Sequence, residues 1–119
     1  MSKCKNRKMY KCLNGERGKK MNELVYLVEE WSKDKGLNNA DPTKQFLKVV
    51  EEVGEVASAM ARSQQEELKD GIGDVIVTII ILAQQHGLTV EECLAQAYGV
   101  ISKRTGKMVN GVFVKSEDL

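Results

Sequence analysis

A chain of 119 residues with 42% apolar residues and a single proline can bury one modest core and is too short for two ordinary domains. Its net charge of +1 conceals a division, because residues 1–20 carry eight Lys or Arg against one Glu, whereas residues 21–119 carry ten against sixteen Asp or Glu. We therefore expect a basic, disordered leader, residues 1–20, followed by one acidic folded domain, residues 21–119.

The leader and the cysteines indicate what the protein could bind and in which cellular compartment it functions. The leader has two interpretations, a nucleic-acid or phosphate-binding arm and a solvated extension, and the second is favoured because Met21 would open the domain naturally. Three cysteines without a pairing framework are typical of a reducing compartment. No zinc site is expected at Cys4 and Cys12, and Cys93 is predicted to be a small core residue. The start lacks an apolar segment and the run Val75–Ala83 is too short to cross a bilayer, so we expect a cytoplasmic protein without a membrane span.

The folded domain is predicted to begin with two helices. The first spans about Asn22–Lys35, where apolar residues recur at helical spacing until Gly36 stops the pattern. Asp41 and Pro42 are typical of an N-cap followed by a first-turn proline, and the second helix should extend from there to about Ser63.

Two further helices and a turn complete the prediction. The third helix, about Gln65–Gln85, is apolar on nearly every side, so more than one of its faces should be buried. We expect homo-oligomerisation through the helices, as a dimer or tetramer, with the third helix central to the interface. The fourth runs from a capping box at Thr89 to about Arg104. Asn110-Gly111 then predicts a tight turn between short β-prone segments. The expected fold is an all-α four-helix bundle with a short extended or hairpin tail.

Carboxylates cluster on the second and third helices. Glu52 and Glu55 lie about 60° apart around one helix, and Asp70 and Asp74 about 40° apart around the next. The short connection makes these helices antiparallel neighbours, which brings the carboxylates together with Glu51. Oxygen ligands without nearby Cys or His select Mg²⁺ or Mn²⁺ over zinc or copper. The alternative is a pair of ordinary solvated faces; Asp74 disfavours it, since a charge opening an apolar stretch normally has a partner.

The motif Glu51-Glu52-Val-Gly-Glu55, followed by Gly73-Asp74-Val75, resembles the MazG-like nucleoside triphosphate pyrophosphohydrolases of the all-α superfamily, and most closely their small phage-type members. The resemblance implies Mg²⁺-dependent cleavage of a nucleoside triphosphate between its α and β phosphates, giving a monophosphate and pyrophosphate. The catalytic residues that it implies are Glu51, Glu52, Glu55 and Asp74. The metal ligands proposed on these helices are Glu52, Glu55, Asp70 and Asp74.

The resemblance also implies substrate-binding residues, and this sequence departs from the family at two positions. The resemblance implies substrate contacts from side chains outside the acidic cluster: Lys48, Arg104, Lys107 and Asn110. Trp31 is a candidate for stacking on a nucleotide base, and its helical spacing also allows a core position. At Gly71 the wider family has Glu, and near Gly99 it often has Asn. Asp70, one residue before Gly71, faces the same side of the helix as Asp74 and is the candidate replacement.

Other chemistries find little support in the residues. The printed sequence has no Gly-x-x-x-x-Gly-Lys-Ser/Thr loop, no Ser/His/Asp or Cys/His arrangement and no Glu-x-x-His motif, which leaves metal-assisted phosphoryl hydrolysis. A competing hypothesis is a noncatalytic helical oligomer that binds nucleotides or proteins, and Gly71 and Gly99 favour it. A third hypothesis is RNA binding through residues 1–20, which would depend steeply on salt.

Overall fold

The computed structural model describes residues 18–119, so most of the predicted leader, with Cys4 and Cys12, lies outside the described residues. Within residues 18–119 there are four α-helices: α1 Met21–Asp34, α2 Pro42–Ala61, α3 Gln65–Gln85 and α4 Val90–Ile101. The same described part of the chain has two strands, β1 Gly106–Val109 and β2 Val112–Lys115, and two short 3₁₀ helices, Leu37–Asn39 and Ser116–Asp118. The predicted all-α class with four helices and a C-terminal hairpin is confirmed. The chain packs as two units, divided between Leu88 and Thr89.

Both predicted N-caps are formed, which explains why the predicted helix starts were accurate. The Asp41 side chain accepts a hydrogen bond from the Thr43 N–H at 2.9 Å and begins α2. At the start of α4, the Thr89 hydroxyl accepts from the Glu92 N–H at 3.1 Å, and the Glu92 carboxylate accepts from the Thr89 N–H at 2.8 Å. These local interactions satisfy amide groups that the first turn of a helix cannot pair.

A tight reversal joins α2 to α3. Ser63 adopts a left-handed conformation with φ 54°, and its N–H donates to the Met60 carbonyl at 3.1 Å. The Gln64 N–H donates to the Ala59 carbonyl at 3.0 Å, so the two bonds together form a Schellman motif. The link is only three residues long, and α3 begins immediately beside the end of α2.

In the first unit, α2 and α3 pack as antiparallel neighbours, as predicted. Gln45 near the start of α2 donates its side-chain N–H to the Thr78 carbonyl at 3.1 Å, whereas Val56, later in α2, lies against Gly71, earlier in α3. Residue numbers rise along α2 while those of the contacted α3 residues fall, so the two helices run antiparallel. This pairing brings the carboxylate-bearing end of α2 beside the first turns of α3.

The C-terminal part of α3 forms hydrogen bonds with α1 and with the first 3₁₀ helix. Gln84 donates its side-chain N–H to the Glu29 carbonyl at 3.2 Å, and Gln85 donates to the Leu37 carbonyl at 2.9 Å. Ile80 and Ile81, which point about 100° apart, are both buried. The prediction that more than one face of α3 is buried therefore holds in its C-terminal half.

Burial is otherwise limited, and one core prediction was wrong. Cys93 is exposed, as are the other α4 residues from Glu91 to Ile101. The helical pattern around Cys93 shows which side of α4 is apolar, but a face is buried only where another element covers it. Among the described residues, no single helix is long and apolar enough to cross a membrane.

The second unit contains α4 and the predicted hairpin. Strands β1 and β2 are antiparallel, with Met108 opposite Phe113. Asn110 and Gly111, at the turn, have φ values of 52° and 82°. Two consecutive positive φ values match the right-handed twist of a two-residue hairpin, and Asn-Gly adopts them at little steric cost.

Candidate active site

A pocket of about 500 Å³ lies between the C-terminal half of α2 and the first turns of α3. Five carboxylates line it: Glu51, Glu55, Glu67, Asp70 and Asp74. We call it the carboxylate pocket. Four of these five residues were singled out from the sequence as catalytic or metal-binding candidates, and the antiparallel packing of α2 on α3 is what brings them to one cavity.

Three polar side chains of the carboxylate pocket were missed from the sequence. Ser58 and Arg62 continue the row that Glu51 and Glu55 begin on α2, and Glu67 stands at the start of α3. Helical spacing could have indicated Ser58 and Arg62. Ser58 is three residues after Glu55 and Arg62 is four residues after Ser58, so the three side chains share one side of α2. Arg62 gives the pocket a positive charge at the end nearest the α2–α3 turn.

Glu52 is not part of the pocket lining. Its side chain is 17% exposed, in contrast to the exposed neighbour Glu51. Removal from solvent, and then repulsion from Asp74, raises the pKa of Glu52 above its ordinary value. The Glu52 carboxylate therefore stands close enough to Asp74 for their charges to oppose each other.

Asp74 is the α3 residue around which the negative charges gather. Desolvation raises the pKa of Asp74, with further contributions from the charges of Asp70 and Glu55. The sequence predicted that this charge would have a partner, but no ion pair of Asp74 is formed within residues 18–119. Lys48 lowers the pKa of Asp74 without compensating for the other effects.

Lys48 is held by α2 itself. Its Nζ lies 3.0 Å from Glu51 Oε1 and 3.9 Å from Glu52 Oε2, one turn further along the helix. The hydrogen bond to Glu51 raises the pKa of Lys48. Lys48 does not line the carboxylate pocket, but its exposed ion pair with Glu51 places a positive charge beside the pocket wall.

Gly71, where the resembling family has Glu, is a packing position in this protein. It is buried against α2, and a Cβ placed on it would lie 3.0 Å from Val56 Cγ2 and 3.6 Å from Val56 Cα. A side chain at this position would be in tight contact with Val56, which would have to shift to admit it. Asp70, the preceding residue, lines the pocket, so it supplies a carboxylate where Gly71 has none.

The oxygen atoms that line the carboxylate pocket are of the type that a hard cation binds, although they are not arranged as a metal-binding group. The pocket is lined by carboxylate oxygens and by no Cys or His among the described residues, which is the donor chemistry that Mg²⁺ and Mn²⁺ prefer. Within residues 18–119, no three His, Cys, Asp or Glu side chains form a group able to hold a metal as they stand. The residues fit the ion by type and by shared location, and a bound cation would have to draw their side chains together.

The remaining predicted substrate contacts lie outside the carboxylate pocket. Trp31 is on α1, is 48% exposed and is therefore not the core residue that its spacing also allowed. In the second unit, Arg104 lines a separate cavity of about 480 Å³ together with Lys103 and Lys115. Lys107 belongs to β1, and Asn110 occupies the hairpin turn.

Comparison with known proteins links the two helices of the pocket to a known domain. The model of the MazG nucleotide pyrophosphohydrolase domain matches residues 41–109. A protein of Haemophilus phage HP1 (strain HP1c1), described as an uncharacterized 18.2 kDa protein in the rep-hol intergenic region, is 39% identical over 67 residues. The aligned segment is 56% of this chain and 41% of the phage protein, so it spans less than half of that relative. No solved structure matches.

Proposed function

Since the chain belongs to the MazG nucleotide pyrophosphohydrolase family, we propose that it is a Mg²⁺-dependent hydrolase that cleaves ribo- or deoxyribonucleoside triphosphates between the α and β phosphates. The products are the nucleoside monophosphate and pyrophosphate. The observation that supports this best is the meeting of five carboxylates from α2 and α3 in one pocket, since such oxygen donors suit a divalent cation that binds polyphosphates. We place the reaction in the cytoplasm, where nucleoside triphosphates are used.

Four carboxylates are the proposed metal ligands: Glu52, Glu55, Asp70 and Asp74. Mg²⁺, or Mn²⁺ in its place, would supply Lewis acidity and neutralise phosphate oxygens when bound. Desolvation and mutual repulsion already raise the pKa values of Glu52 and Asp74. A cation at this place would remove the repulsion between these groups, which is a physical reason to expect affinity there.

The hydrolysis consumes one water molecule. The water oxygen bonds to the α or the β phosphorus, and the bond from that phosphorus to the bridging oxygen breaks. The electron pair of the broken bond leaves with pyrophosphate after attack at the α phosphorus, and with the nucleoside monophosphate after attack at the β phosphorus. The proton of the water passes to a carboxylate, for which Glu51 and Asp70 on the pocket wall are the candidates. Glu51 contacts Lys48 at 3.0 Å in an exposed ion pair, so as the base it would have to exchange this contact for the water.

The roles of Trp31, Arg104, Lys107 and Asn110 in substrate binding remain part of the proposal. The resemblance suggests substrate contacts for Arg104, Lys107 and Asn110, and Trp31 is a separate candidate for base stacking. Their chemistry agrees with these roles, because guanidinium and ammonium groups bind phosphate oxygens and an exposed indole offers an aromatic face.

Turnover of a panel of ribo- and deoxyribonucleoside triphosphates with Mg²⁺, followed by the release of pyrophosphate, tests this function. We expect Glu55→Gln to lower kcat by roughly 100-fold or more, because a proposed ligand of the cation that neutralises the phosphates is lost. Glu66→Gln is the matched control, since Glu66 is an acidic residue of α3 outside the pocket. Equal activity of Glu55→Gln and the wild-type protein would reject the assignment.

The competing function is a noncatalytic helical oligomer that binds nucleotides or proteins. Two observations favour it: Gly71 replaces a family carboxylate, and the ligand group is not assembled within residues 18–119. Nucleotide binding measured by calorimetry separates the two functions. A noncatalytic protein would bind triphosphates yet release no pyrophosphate with Mg²⁺ or Mn²⁺, and the same result would refute hydrolysis.

A further inference from the structure

Arg62 is the basic side chain among the described residues that line the carboxylate pocket. It follows the last residue of α2 as the C-cap, and the reversal at Ser63 turns the chain directly into α3. A positive charge among five carboxylates has two explanations: it neutralises them, or it binds an anion that enters the pocket.

The contacts of Arg62 leave most of its donors for a ligand. Its Nε–H donates to Gln64 Oε1 at 3.1 Å, and within residues 18–119 it forms no ion pair. Lys48, the other cation of α2 near the carboxylates, is paired with Glu51 at 3.0 Å. Within residues 18–119, Arg62 is therefore an available cation of the carboxylate pocket, and its planar guanidinium can hold two phosphate oxygens at once.

The spacing along α2 orders the pocket from end to end. Glu55, Ser58 and Arg62 lie on one side of the helix at intervals of three and four residues. Arg62 is seven residues beyond Glu55, about 10 Å along the helix axis, and the hydroxyl of Ser58 lies between them. A phosphate chain bound through a cation that Glu55 and Asp74 would hold would extend along this row toward Arg62.

We propose that Arg62, assisted by Ser58, binds the terminal phosphates of the triphosphate, the portion that is released as pyrophosphate. This inference rests on the function proposed above and specifies the direction in which the substrate lies in the pocket. When the water attacks the α phosphorus and the anhydride P–O bond breaks, negative charge increases on the departing pyrophosphate. A guanidinium at this end stabilises that charge, so Arg62 contributes both to binding and to the rate.

Calorimetric titration of the full chain with inorganic pyrophosphate and excess Mg²⁺ tests the binding part without turnover. We expect Arg62→Gln to weaken pyrophosphate binding about 10- to 100-fold, the range for a lost charge-assisted hydrogen bond, and Arg62→Lys to restore part of it. Lys44→Gln is the matched control, because Lys44 is an exposed cation of the same helix outside the pocket. Equal binding by Arg62→Gln and the wild-type protein, with or without lower stability, would overturn the proposal and leave Arg62 as a helix cap.

A comparison of nucleoside tri- and diphosphates tests the position of the contact. If Arg62 holds the terminal phosphates, Arg62→Gln lowers kcat/KM for the triphosphate more than for the diphosphate, and the preference for triphosphates shrinks. An unchanged preference would contradict the assignment. The two proposals fail separately: absence of turnover by the wild-type protein rejects hydrolysis, whereas pyrophosphate binding that does not depend on Arg62 rejects the inference made here.

Discussion

Glu52 and Asp74 are two carboxylates whose negative charges are unfavourable in the metal-free fold. Desolvation is the main cause for both, and neighbouring carboxylates add to it. A folded-state pKa above the ordinary value means that the charged form lowers the stability of the fold relative to the unfolded chain. The penalty is fully present above the raised pKa and disappears below the ordinary values of 4.5 for Glu52 and 3.8 for Asp74.

The first prediction concerns the pH dependence of this penalty. Glu52→Gln should raise the Tm of the metal-free protein at neutral pH, because a neutral amide has no charge to desolvate. As the pH falls from the raised pKa of Glu52 toward its ordinary value, the wild-type carboxylate gains its proton and the advantage of the variant should vanish. Thermal melts in a chelator across that range measure the difference. A variant that is less stable than the wild-type protein at neutral pH would show that the 3.9 Å contact with Lys48 outweighs desolvation.

Gly71 provides the second prediction at this scale. An alanine in a helix interior is favoured over glycine by up to about 1 kcal/mol, but the added Cβ would lie 3.0 Å from Val56 Cγ2, and overpacking costs about 1–3 kcal/mol. We expect Gly71→Ala to lower the free energy of unfolding and Val56→Ala, in the double variant, to recover part of the loss. Gly73→Ala is the control, since nothing lies within 4 Å of its Cβ position, and it should be neutral or stabilising in denaturant melts. A Gly71→Ala variant with a higher free energy of unfolding than the Gly73→Ala variant would contradict this account.

At the scale of elements, the α2–α3 pair produces the candidate site. The two helices reverse through a three-residue link, and their antiparallel contact is held by Gln45 on Thr78 at one end and Val56 on Gly71 further along. Glu55 comes from α2 and Asp74 from α3, so the proposed cation would bridge two elements. Binding energy at such a bridge adds to the stability of the pair, because the unfolded chain does not bring these ligands together.

The prediction at this scale is that Mg²⁺ stabilises the protein through both helices. Excess Mg²⁺ should raise the Tm of the wild-type protein, and the rise should be lost in Asp74→Asn, which removes the α3 ligand. Glu66→Gln should keep the response, because Glu66 lies on α3 outside the pocket. Differential scanning fluorimetry in magnesium and in matched ionic strength with a monovalent salt measures the effect. An equal rise in Asp74→Asn would place the cation elsewhere.

At the scale of the whole molecule, apolar side chains remain exposed on α2. They form one row at helical spacing, each more than half exposed: Phe46, Val50, Val53 and Met60. An uncovered row of this kind is typical of a protein interface. Val53 and Glu55 point about 200° apart around the helix, so a partner seated on the row would leave the carboxylate pocket accessible. The homodimer or homotetramer expected from the sequence has α3 at the centre of its interface, and this row adds a candidate surface on α2.

The corresponding prediction is self-association through the α2 row. Sedimentation of the wild-type protein should show a dimer or tetramer, and Val53→Lys should shift the population toward the monomer by placing a charge in an apolar contact. Lys44→Gln, on the same helix and away from the row, serves as the control for a change in charge. A wild-type protein that sediments as a monomer at every concentration tested would refute the prediction.

Helix bounds and the hairpin could be predicted because their causes are local. Asp41, Thr89 and the Asn110-Gly111 turn act on residues within one turn of themselves, and the structure forms each of these features. The candidate site was predicted in part for a similar reason: periodicity shows that Glu55 and Asp74 occupy particular sides of their helices. It could not show that Glu52 would be withdrawn from the pocket or that Cys93 would be exposed.

The sequence alone determined the helical class, the order of the elements and the type of chemistry that the acidic residues suit. Tertiary structure decided which side chains share a cavity, how closely Val56 approaches Gly71 and that Arg62 enters the carboxylate pocket. The reason is that a residue's spacing specifies its direction around its own helix, whereas its surroundings depend on the face of the neighbouring helix that packs against it.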